Sequence, residues 1–273
     1  MSDSRTDGVP TVSNTAAPQL EDYDIILVNS SAGKDSQASL DVIVEVARAA
    51  GAIDRVVVVH ADLGDNEWPG TAALAAEHAS HYGLPLSVVA RTTDEGRVET
   101  ILTRVDKRGM WPDAARRWCT SDHKRGPIRK LMTQLVSELR DSGSVANRPV
   151  HLLNVMGFRG EESPARLKRH PYSHNHSASN GRRRVDDWYP ILDWTAEQVW
   201  ARIAAAGTRP HPAYAAGMTR LSCRFCVLAS KSDLVLSARM NPDLAARYAT
   251  VETRTGHRFR KDLSMAEIIT AAS

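Results

Sequence analysis

The fold of this chain follows from one stretch, Ile25-Ile26-Leu27-Val28-Asn29-Ser30-Ser31-Ala32-Gly33-Lys34-Asp35-Ser36. An apolar run of the kind found in buried strands ends at Asn29, and a small, hydroxyl-rich loop follows it. After Ser36, apolar side chains recur at helical spacing as far as Gly51, a residue type that favours the C′ position of a helix. The stretch therefore predicts a strand, a tight loop and a helix.

The loop has the composition of an anion-binding site. Free backbone N–H groups and the helix dipole favour negative charge at a helix N-terminus. Ser30, Ser31 and Ser36 add hydroxyl donors. Lys34 adds a positive charge, and Gly33 lets the backbone approach a ligand closely. The order of residues is not that of a Walker loop, which has four residues between two glycines before Lys-Ser/Thr. An ordinary strand-to-helix turn is the alternative that these residues alone leave open.

The following residues repeat the alternation of strand and helix. Four consecutive valines, Val56 to Val59, suit a strand buried on both faces of a parallel sheet. An alanine-rich helix over 71–82 and a strand over 86–90 come next, and 150–156 is a further strand. This order predicts an α/β fold with a doubly wound, mostly parallel sheet and a C-terminal helical extension. We expect two amphipathic helices after Ser232, and a mobile loop over 172–187, where no periodicity is visible.

Composition narrows the class of protein. The chain has 273 residues, of which 42% are hydrophobic and 25% charged, and a formal net charge of +3, which is ordinary for a soluble globular protein. No run approaches the ~20 apolar residues of a membrane span. Residues 1–20 are polar without a signal-peptide core and predict a disordered tail. Three cysteines are too few for a disulfide framework, so we expect reduced thiols and a cytoplasmic protein.

Polar residues that could bind a ligand follow three predicted strands. Asp62 lies just after the valine-rich strand, at the carboxyl edge where open α/β sheets bind ligands. Past the strand over 150–156, Arg159 and Arg166 could hold phosphates and Glu162 could orient one of them. The basic stretch 116–125 surrounds Cys119 and contains Lys124. It is either a solvated turn or an anion site that would lower the pKa of the Cys119 thiol.

The cysteines allow three interpretations. Cys223 and Cys226 have the Cys-x2-Cys spacing of metal or cluster ligands, and Cys119 is the third thiol. The first interpretation is a 4Fe–4S cluster on all three cysteines. The second is zinc, with His123 or another residue as the fourth ligand. The third is no metal, with Cys223 and Cys226 as a redox or persulfide-carrying pair. His170, His174 and His176 favour a polar loop over a metal site.

Several separated motifs together resemble the phosphoadenosine phosphosulfate (PAPS) reductase-like family of PP-loop ATP pyrophosphatases. The motifs are Ser-Ala-Gly-Lys-Asp-Ser, His-Ala-Asp-Leu-Gly, Arg-Trp-Cys-x4-Lys-x2-Pro, Gly-Phe-Arg-x2-Glu-Ser-x2-Arg, Tyr-Pro-Ile-x-Asp-Trp-Thr and Tyr-x2-Gly-x4-Ser-Cys-x2-Cys. They span roughly residues 24 to 235. The resemblance implies a disordered tail over 1–20, a PP-loop ATP pyrophosphatase domain over 21–207, and a Cys-x2-Cys segment with a helical cap over 208–273.

The resemblance also implies a chemistry and a set of residues. ATP would bind with Mg²⁺, which Asp35 would position, and the acceptor oxygen would attack the α-phosphate with loss of pyrophosphate. The implied catalytic residues are Lys34, Asp35, Lys124 and Arg159. The implied nucleotide-binding residues are Ser30, Ser31, Gly33, Lys34, Asp35, Ser36, Asp62, Gly157, Arg159, Glu162, Ser163 and Arg166, and the implied cluster ligands are Cys119, Cys223 and Cys226.

Departures from the family pattern guide the choice of reaction. Sulfonucleotide reductases attack sulfur with a cysteine in a C-terminal Glu-Cys-Gly-Leu/Ile-His segment, and this sequence has no cysteine after Cys226. A three-cysteine cluster with one open iron is similar to that of tRNA thiolation enzymes. We therefore expect adenylation for sulfur insertion, with a DNA backbone phosphate as the favoured acceptor and a cysteine desulfurase and other modification proteins as partners. PAPS or APS reduction, tRNA thiolation and a non-enzymatic nucleotide-binding module remain alternatives, and homodimer formation is left open.

Overall fold

The computed structural model of the protein describes residue 10 and residues 17–273. Within them, one sheet contains β1 (Ile25–Ser30), β2 (Val56–Asp62), β3 (Leu86–Ala90), β4 (Val150–Met156), β5 (Tyr172–His174) and β6 (Arg183–Trp188). The helices in chain order are α1 (Lys34–Ala49), α2 (Thr71–His81), α3 (Ile101–Arg108), α4 (Trp118–Thr120), α5 (Gly126–Asp141), α6 (Pro164–Leu167), α7 (Ala196–Ala206), α8 (Pro212–Ala215), α9 (Lys231–Met240), α10 (Pro242–Thr255) and α11 (Met265–Ala272).

The strand order of the sheet is β3-β2-β1-β4-β6-β5. β1 pairs in parallel with β2 and β4, and β4 pairs in parallel with β6. Because the chain moves outward from β1 first to one side and then to the other, the sheet is doubly wound. The predicted fold class is confirmed, and the loop between β1 and α1 lies at the strand-order reversal, where such sheets bind ligands.

The chain divides into two compact units. Unit 1 comprises Met1–His60, Ala73–Ser87 and Gln134–Pro210, and unit 2 comprises Ala61–Ala72, Val88–Thr133 and His211–Ser273. The domain boundaries expected from the sequence stay a prediction, and the expected tail over 1–20 lies mostly outside the described residues. No helix in the described part of the chain is both long enough and apolar enough to cross a membrane.

Each unit has a hydrophobic core of its own. In unit 1, apolar side chains of α1, such as Leu40 and Ile43, are buried with Ile26 and Val28 of β1. In unit 2, the core is aromatic, and the ring of Tyr248 stacks on that of Trp111 with 5.2 Å between centroids. Burial of apolar area at about 25 cal/mol per Å² is the main favourable contribution to both.

Helix boundaries agree with the local sequence signals. Gly51 follows α1 with a φ of +62°, a conformation that glycine adopts without steric cost. Thr195 is the N-cap of α7 and forms a capping box with Gln198, and Gly207 ends the same helix in the left-handed conformation. The predicted end of the first helix at Gly51 is confirmed.

Two predictions of secondary structure are wrong. The expected loop over 172–187 contains β5 and most of β6, which pair antiparallel with His174 opposite Asp186. Three helices, α9, α10 and α11, follow Ser230 where two were expected, because Asn241 and Pro242 separate the first two. In both places the error comes from polar residues that hydrogen-bond locally and hide the periodicity of an element.

Asp186 shows how a polar residue can be buried in β6. Its carboxylate accepts hydrogen bonds from the hydroxyl of Tyr23 at 3.0 Å, the hydroxyl of Tyr172 at 3.1 Å and Nδ1 of His174 at 2.8 Å. Burial tends to raise the pKa of Asp186, but these donors outweigh it and hold that pKa below its ordinary value. The edge of the sheet therefore depends on an ionised, buried carboxylate.

We expect Asp186→Ala to lower the free energy of unfolding by roughly 2 kcal/mol, because it removes the buried acceptor shared by the hydroxyls of Tyr23 and Tyr172 and the imidazole of His174. The measurement is urea unfolding followed by circular dichroism. Asp54→Ala is the control, since Asp54 is exposed, and it should change the same quantity by about 0.5 kcal/mol or less. Equal effects of the two substitutions would contradict this role of Asp186.

Candidate functional site

The loop between β1 and α1 is closed by its own serines. Ser36 Oγ donates to the carbonyl oxygen of Gly33 at 2.9 Å and accepts from the backbone N–H of Ser31 at 3.1 Å. Gly33 is the N-cap of α1 and makes no side-chain cap. The N–H groups of the first turn of a helix have no intrahelical acceptor, so they are the donors that a phosphate would use here.

Ala32 holds the loop in an uncommon conformation. Its φ is +52°, and it is the only residue other than glycine with a positive φ in the described part of the chain. Such a conformation costs free energy in an L-residue and persists where the surroundings enforce it, which is often at functional sites. Ala32 is fully buried with Leu74 and Ala75. This conformation could not be predicted from the sequence, because alanine rarely adopts a positive φ.

Asp35 lies between two cations. Its Oδ1 accepts from Nε of Arg159 at 2.5 Å, and its Oδ2 accepts from Nζ of Lys34 at 3.3 Å. Arg159 is only 5% exposed, and its Nη1 donates to Glu161 as well. The structure thus brings together three residues that the sequence named as candidates, from α1 and from the loop after β4. The position of Asp35 is fixed by a forked guanidinium, which Lys could not reproduce.

Gly157 lies against the backbone of the first loop. A Cβ at this position would be 2.5 Å from the carbonyl oxygen of Asp35 and 2.8 Å from Cα of Ser36. Both distances are shorter than non-bonded carbon contacts allow. Because β4 ends at Met156, the chain after this strand touches the N-terminus of α1 directly. Glycine is required at this position because a side chain would collide with the backbone of Asp35 and Ser36, and not because of its backbone torsion angles.

The remaining candidates after β4 form a second layer. Ser163 is the N-cap of α6 and accepts from the N–H of Arg166 at 3.3 Å. Glu162 forms an ion pair with Arg166, as the sequence suggested. The guanidinium of Arg166 also lies over the ring of Phe158, 4.4 Å from its centroid, and Phe158 stacks on Tyr189. The sequence did not single out Phe158, although its place between Gly157 and Arg159 was a usable signal.

His60 is a further residue that sequence reasoning missed. It lies in β2 opposite Ser30 of β1, it is 1% exposed, and its Nδ1 donates to the Ser30 carbonyl oxygen at 3.0 Å. The contact orients the strand end from which the loop departs. A polar residue directly after four valines could have been recognised as part of the site.

The other candidates belong to unit 2. Asp62 ends β2, and its Oδ1 accepts from the N–H of Gly64 at 2.7 Å, which starts a 3-10 turn over Gly64–Asn66. Lys124 lies in a π-helical turn over Ser121–Arg125 that directly follows α4, the turn containing Cys119. Isolated π-helical turns are frequent at functional sites. The structure thus gathers the loop candidates in unit 1 and places Asp62, Lys124 and the cysteines in unit 2.

The three cysteines of unit 2 lie close enough for their charges to interact. Burial raises the pKa of the Cys119 thiol and Cys226 raises it further, while Lys124 and Arg117 lower it by less. Burial also raises the pKa of Cys223, and Lys124 opposes this effect while Cys226 and Cys119 add to it. The basic neighbours thus act on the pKa of Cys119 in the predicted direction, but that pKa is raised on balance because desolvation of a thiolate outweighs their attraction.

The Cys-x2-Cys turn is held by the two residues inside it. The N–H of Arg224 donates to the carbonyl oxygen of Asn66 at 2.9 Å, and its Nη1 donates to Oδ1 of Asn241 at 2.8 Å. Phe225 is buried, with its ring 4.9 Å from that of Tyr248. Arg224 thus holds the turn by hydrogen bonds and Phe225 holds it by packing. The backbone that carries the two thiols is therefore fixed in position.

His123 lies among charged groups of unit 2. Burial lowers its pKa to about 4, and Arg91 and Arg104 lower it further against the opposing effect of Glu99 and Asp122. Its Nε2 has no hydrogen-bond partner within the described residues. Among those residues, no three His, Cys, Asp or Glu side chains are grouped so that they could hold a single metal ion. Zinc with His123 as a ligand remains untested.

A doubly wound sheet with a hydroxyl-rich loop at the N-terminus of α1 defines a nucleotide-binding protein of the PP-loop type. The chain belongs to the phosphoadenosine phosphosulfate reductase domain family, whose model matches residues 25–229. The match covers the loop, the chain after β4 and the Cys-x2-Cys turn. Membership confirms the resemblance inferred from the motifs, and it makes the chain a PAPS reductase-like, nucleotide-utilising domain.

Two curated proteins are similar over part of the chain. An uncharacterised 37.8 kDa protein of Escherichia phage 186 is 28% identical over 145 residues, which are 53% of this chain and 40% of that protein. An uncharacterised protein of Methanocaldococcus jannaschii is 24% identical over 227 residues, which are 83% of this chain and 47% of that protein. The chain therefore spans less than half the length of these relatives.

Solved structures resemble the chain more distantly. The phosphoadenylyl-sulfate reductase of Candida auris in its phosphate complex has 16% identity and a TM-score of 0.48, covering 79% of this chain and 98% of that one. The U34-tRNA thiolase NcsA of Methanococcus maripaludis with its 4Fe–4S cluster has 12% identity and a TM-score of 0.43, covering 88% of this chain and 72% of that one. These likenesses are too distant to assign a reaction.

We expect Gly157→Ala to reduce ATP binding at least tenfold, because the new Cβ can be accommodated only by moving the backbone at Asp35 and Ser36. The measurement is calorimetric titration with a non-hydrolysable ATP analogue. Gly181→Ala is the matched control, since a Cβ there meets nothing within 4 Å, and it should bind like the original protein. Unaltered binding by Gly157→Ala would place the nucleotide elsewhere.

Proposed function

We propose that the protein is an ATP pyrophosphatase that adenylates an acceptor oxygen so that sulfur can replace it. The observation that carries the proposal is the loop at the start of α1. There Arg159 and Lys34 hold Asp35 in the first turn of the helix, whose N–H groups have no intrahelical acceptor. Ser30, Ser31 and Ser36 would face the β- and γ-phosphates, and Lys34 would neutralise their charge. The family to which the chain belongs supports the use of an adenine nucleotide.

The proposed reaction has two displacements. The acceptor oxygen forms a bond to the α-phosphorus of ATP, and the bond from this phosphorus to the oxygen bridging to the β-phosphorus breaks, so that pyrophosphate leaves. Hydrosulfide then attacks the atom that carries the adenylated oxygen, and AMP leaves with that oxygen. A cysteine desulfurase would supply the sulfur as a persulfide, and a thiol reductant would supply the two electrons that release it as hydrosulfide.

The protein would contribute alignment and charge to this reaction. Arg159 lies 2.5 Å from Asp35, so its role would be to hold the loop in one geometry as well as to add positive charge near the phosphates. Both oxygens of Asp35 accept from cations in this structure, so Mg²⁺ would reach Asp35 only by displacing Lys34 or by binding through water. Lys124 stays a candidate for phosphate binding.

The three cysteines suit a cluster in the chemistry of their donors and in the interaction of their charges, although no three described His, Cys, Asp or Glu side chains are grouped so that they could hold a single metal ion. All three are soft thiolate donors once deprotonated, and a cation, Lys124, lies close enough to lower the pKa of two of them. A 4Fe–4S cluster on Cys119, Cys223 and Cys226 would supply one iron with an open position for a sulfur ligand. Zinc and a metal-free persulfide pair are the other proposals that the same residues allow.

A DNA backbone phosphate is the acceptor that we favour. Segments 116–130 and 166–184 are rich in Arg and Lys, which bind nucleic-acid phosphates. The alternative reaction is reduction of PAPS or APS, and the description of the family favours it. Reduction would need a thiol that is free to attack the sulfate sulfur. The three thiols of this sequence lie close to one another in unit 2, and we propose them as ligands instead. Two further alternatives are a tRNA acceptor and a purely nucleotide-binding role. Assembly into a homodimer is left open.

The activity test combines ATP with one acceptor at a time. With duplex DNA, hydrosulfide and ATP, we expect pyrophosphate and AMP in equal amounts and phosphorothioate linkages detected by mass spectrometry after nuclease digestion. Asp35→Asn should lower pyrophosphate release at least a hundredfold, because it removes the charge that holds Lys34 and Arg159. The control Asp54→Asn alters an exposed acid and should leave the rate unchanged. Sulfite formed from PAPS or APS would contradict the proposal and identify a reductase.

The cysteine test asks which group the thiols hold. Anaerobic purification should give a brown protein with about four irons, and Cys119→Ser, Cys223→Ser and Cys226→Ser should each bleach it. Absorption and iron and zinc analysis are the measurements. Full iron in Cys119→Ser would contradict the three-cysteine cluster, and stoichiometric zinc without iron would replace it. Neither result would contradict the proposed ATP-binding loop, because that proposal is argued from other residues.

A further inference from the structure

Residues 163–185 form a continuous basic segment, here called the basic strip. It contains six cations, Arg166, Lys168, Arg169, Arg182, Arg183 and Arg184, three histidines and no acidic residue. The acidic residues next to it are already bound, since Glu162 pairs with Arg166 and Asp186 accepts from Tyr23, Tyr172 and His174. Glu162 therefore offsets the charge of Arg166, while Lys168, Arg169 and Arg182 form no ion pair within the described residues.

Several of these cations point to solvent without a carboxylate. Lys168 and Arg182 are exposed, and neither has an ion pair or a side-chain hydrogen bond within the described residues. The side chain of Arg184 is 53% exposed and only approaches the already bound Asp186, at 3.5 Å. Three exposed arginines of unit 2 are paired instead. Arg247, Arg254 and Arg258 each form an ion pair with a neighbouring carboxylate, Asp65, Asp106 and Glu267 respectively.

The strip is supported by a rigid sheet edge. β5 pairs with β6, and the N–H of Asn175 continues the pairing to the carbonyl oxygen of Val185 at 2.8 Å. The turn between the strands is fixed by Asn180, whose Oδ1 accepts from the N–H groups of Arg182 and Arg183. A shallow pocket of about 420 Å³ opens beside this turn. Its lining consists of Pro149, His174, Ser179, Asn180, Arg183 and Arg184.

The donors around the pocket are those that contact nucleic-acid backbones. Guanidinium, hydroxyl, amide and imidazole groups make most of the protein hydrogen bonds to phosphate oxygens. Charges on an edge strand also prevent pairing with other sheets, but one or two suffice for that purpose. Arg166 is paired with Glu162 and Arg183 is buried, but four exposed cations remain, which exceed what edge protection needs: Lys168, Arg169, Arg182 and Arg184.

The second basic segment, 116–130, differs from the strip in its charge pattern. It contains an acidic residue, Asp122, and Arg116 within it forms an ion pair with Asp113 at 3.3 Å. The strip contains no acidic residue, so it is the more uniformly basic of the two segments.

We propose that the basic strip is the surface on which the backbone of duplex DNA docks. The proposal rests on the function proposed above and names a surface that would hold the DNA backbone away from the reacting phosphate, because Arg183 and Arg184 lie opposite the start of β4 whereas the loop at α1 meets the chain after its end. Duplex DNA is favoured over a single strand because single-strand binders stack bases on several aromatic rings, and the strip offers one exposed ring, Tyr172. Binding would use phosphate contacts and would depend little on base sequence.

The test measures binding without ATP, so it does not depend on catalysis. A fluorescein-labelled duplex is titrated with protein at several salt concentrations and followed by anisotropy. The triple variant Lys168→Gln, Arg182→Gln, Arg184→Gln should weaken binding at least tenfold at low salt. It should also reduce the slope of log K against log salt by roughly 2 to 3, since each lost phosphate contact contributes about 0.9.

The control variant is Arg247→Gln, Arg254→Gln, Arg258→Gln, which removes the same charge from paired arginines of unit 2. It should change DNA affinity less than twofold. Binding of the ATP analogue by both variants reports whether they are folded, because neither alters the loop at α1. If DNA affinity depends on the strip while the variants still bind the ATP analogue, the docking proposal is supported whether or not phosphorothioate forms. The docking surface and the proposed reaction can therefore fail separately.

Three results would overturn the proposal. The first is equal weakening by both variants, which would show a general charge effect. The second is tighter, strip-dependent binding of transfer RNA than of duplex DNA. The third is strip-dependent binding to vesicles of phosphatidylserine and phosphatidylcholine with no binding to the duplex.

Discussion

The contact between Arg159 and Asp35 is the constraint on which unit 1 depends for its loop geometry. Asp35 is in the first turn of α1 and Arg159 follows β4, so one buried ion pair joins two segments that are 124 residues apart in sequence. Gly157 brings the same two segments into van der Waals contact. A buried ion pair is weak evidence for stability, because desolvation of both charges opposes their attraction. Its value here is positional, since it fixes a helix N-terminus where phosphate would bind.

Much of unit 1 could be predicted because short stretches of its sequence are enough to indicate several of its strands. In β2 the valines Val56, Val58 and Val59 are buried, as is the apolar run before Asn29, and such runs carry their own signal. Thr195 and Gly207 mark the ends of α7 by capping chemistry that involves only nearby residues. The loop candidates were found for the same reason, because a hydroxyl-rich turn between a strand and a helix is a local pattern.

The rest could not be predicted because it depends on contacts made after folding. β6 contains Arg183, Arg184, Asp186 and Asp187, and only the pairing with β4 and the donors from Tyr23 and His174 make it a strand. The positive φ of Ala32 is likewise imposed by its surroundings. The pKa of Cys119 shows the same limit for electrostatics, because a sequence displays nearby charges but not the burial that outweighs them.

A hydrogen-bond chain connects the loop strand with the basic strip across the sheet. Nδ2 of Asn29 donates to Oδ1 of Asn154 at 2.8 Å, and Nδ2 of Asn154 donates to Oδ1 of Asp187 at 2.7 Å. Asp187 in turn accepts from Asn175, the residue at which β5 passes into the turn of the strip. Side-chain amides in the middle of a parallel sheet replace apolar packing, and they are stable there because each is satisfied by the next strand. The chain runs over β1, β4 and β6, so the strand that ends at the nucleotide loop and the hairpin that carries the exposed cations share one set of directional bonds. A purely apolar sheet face would hold the strands together by burial alone, whereas these directional bonds also fix the strands against one another.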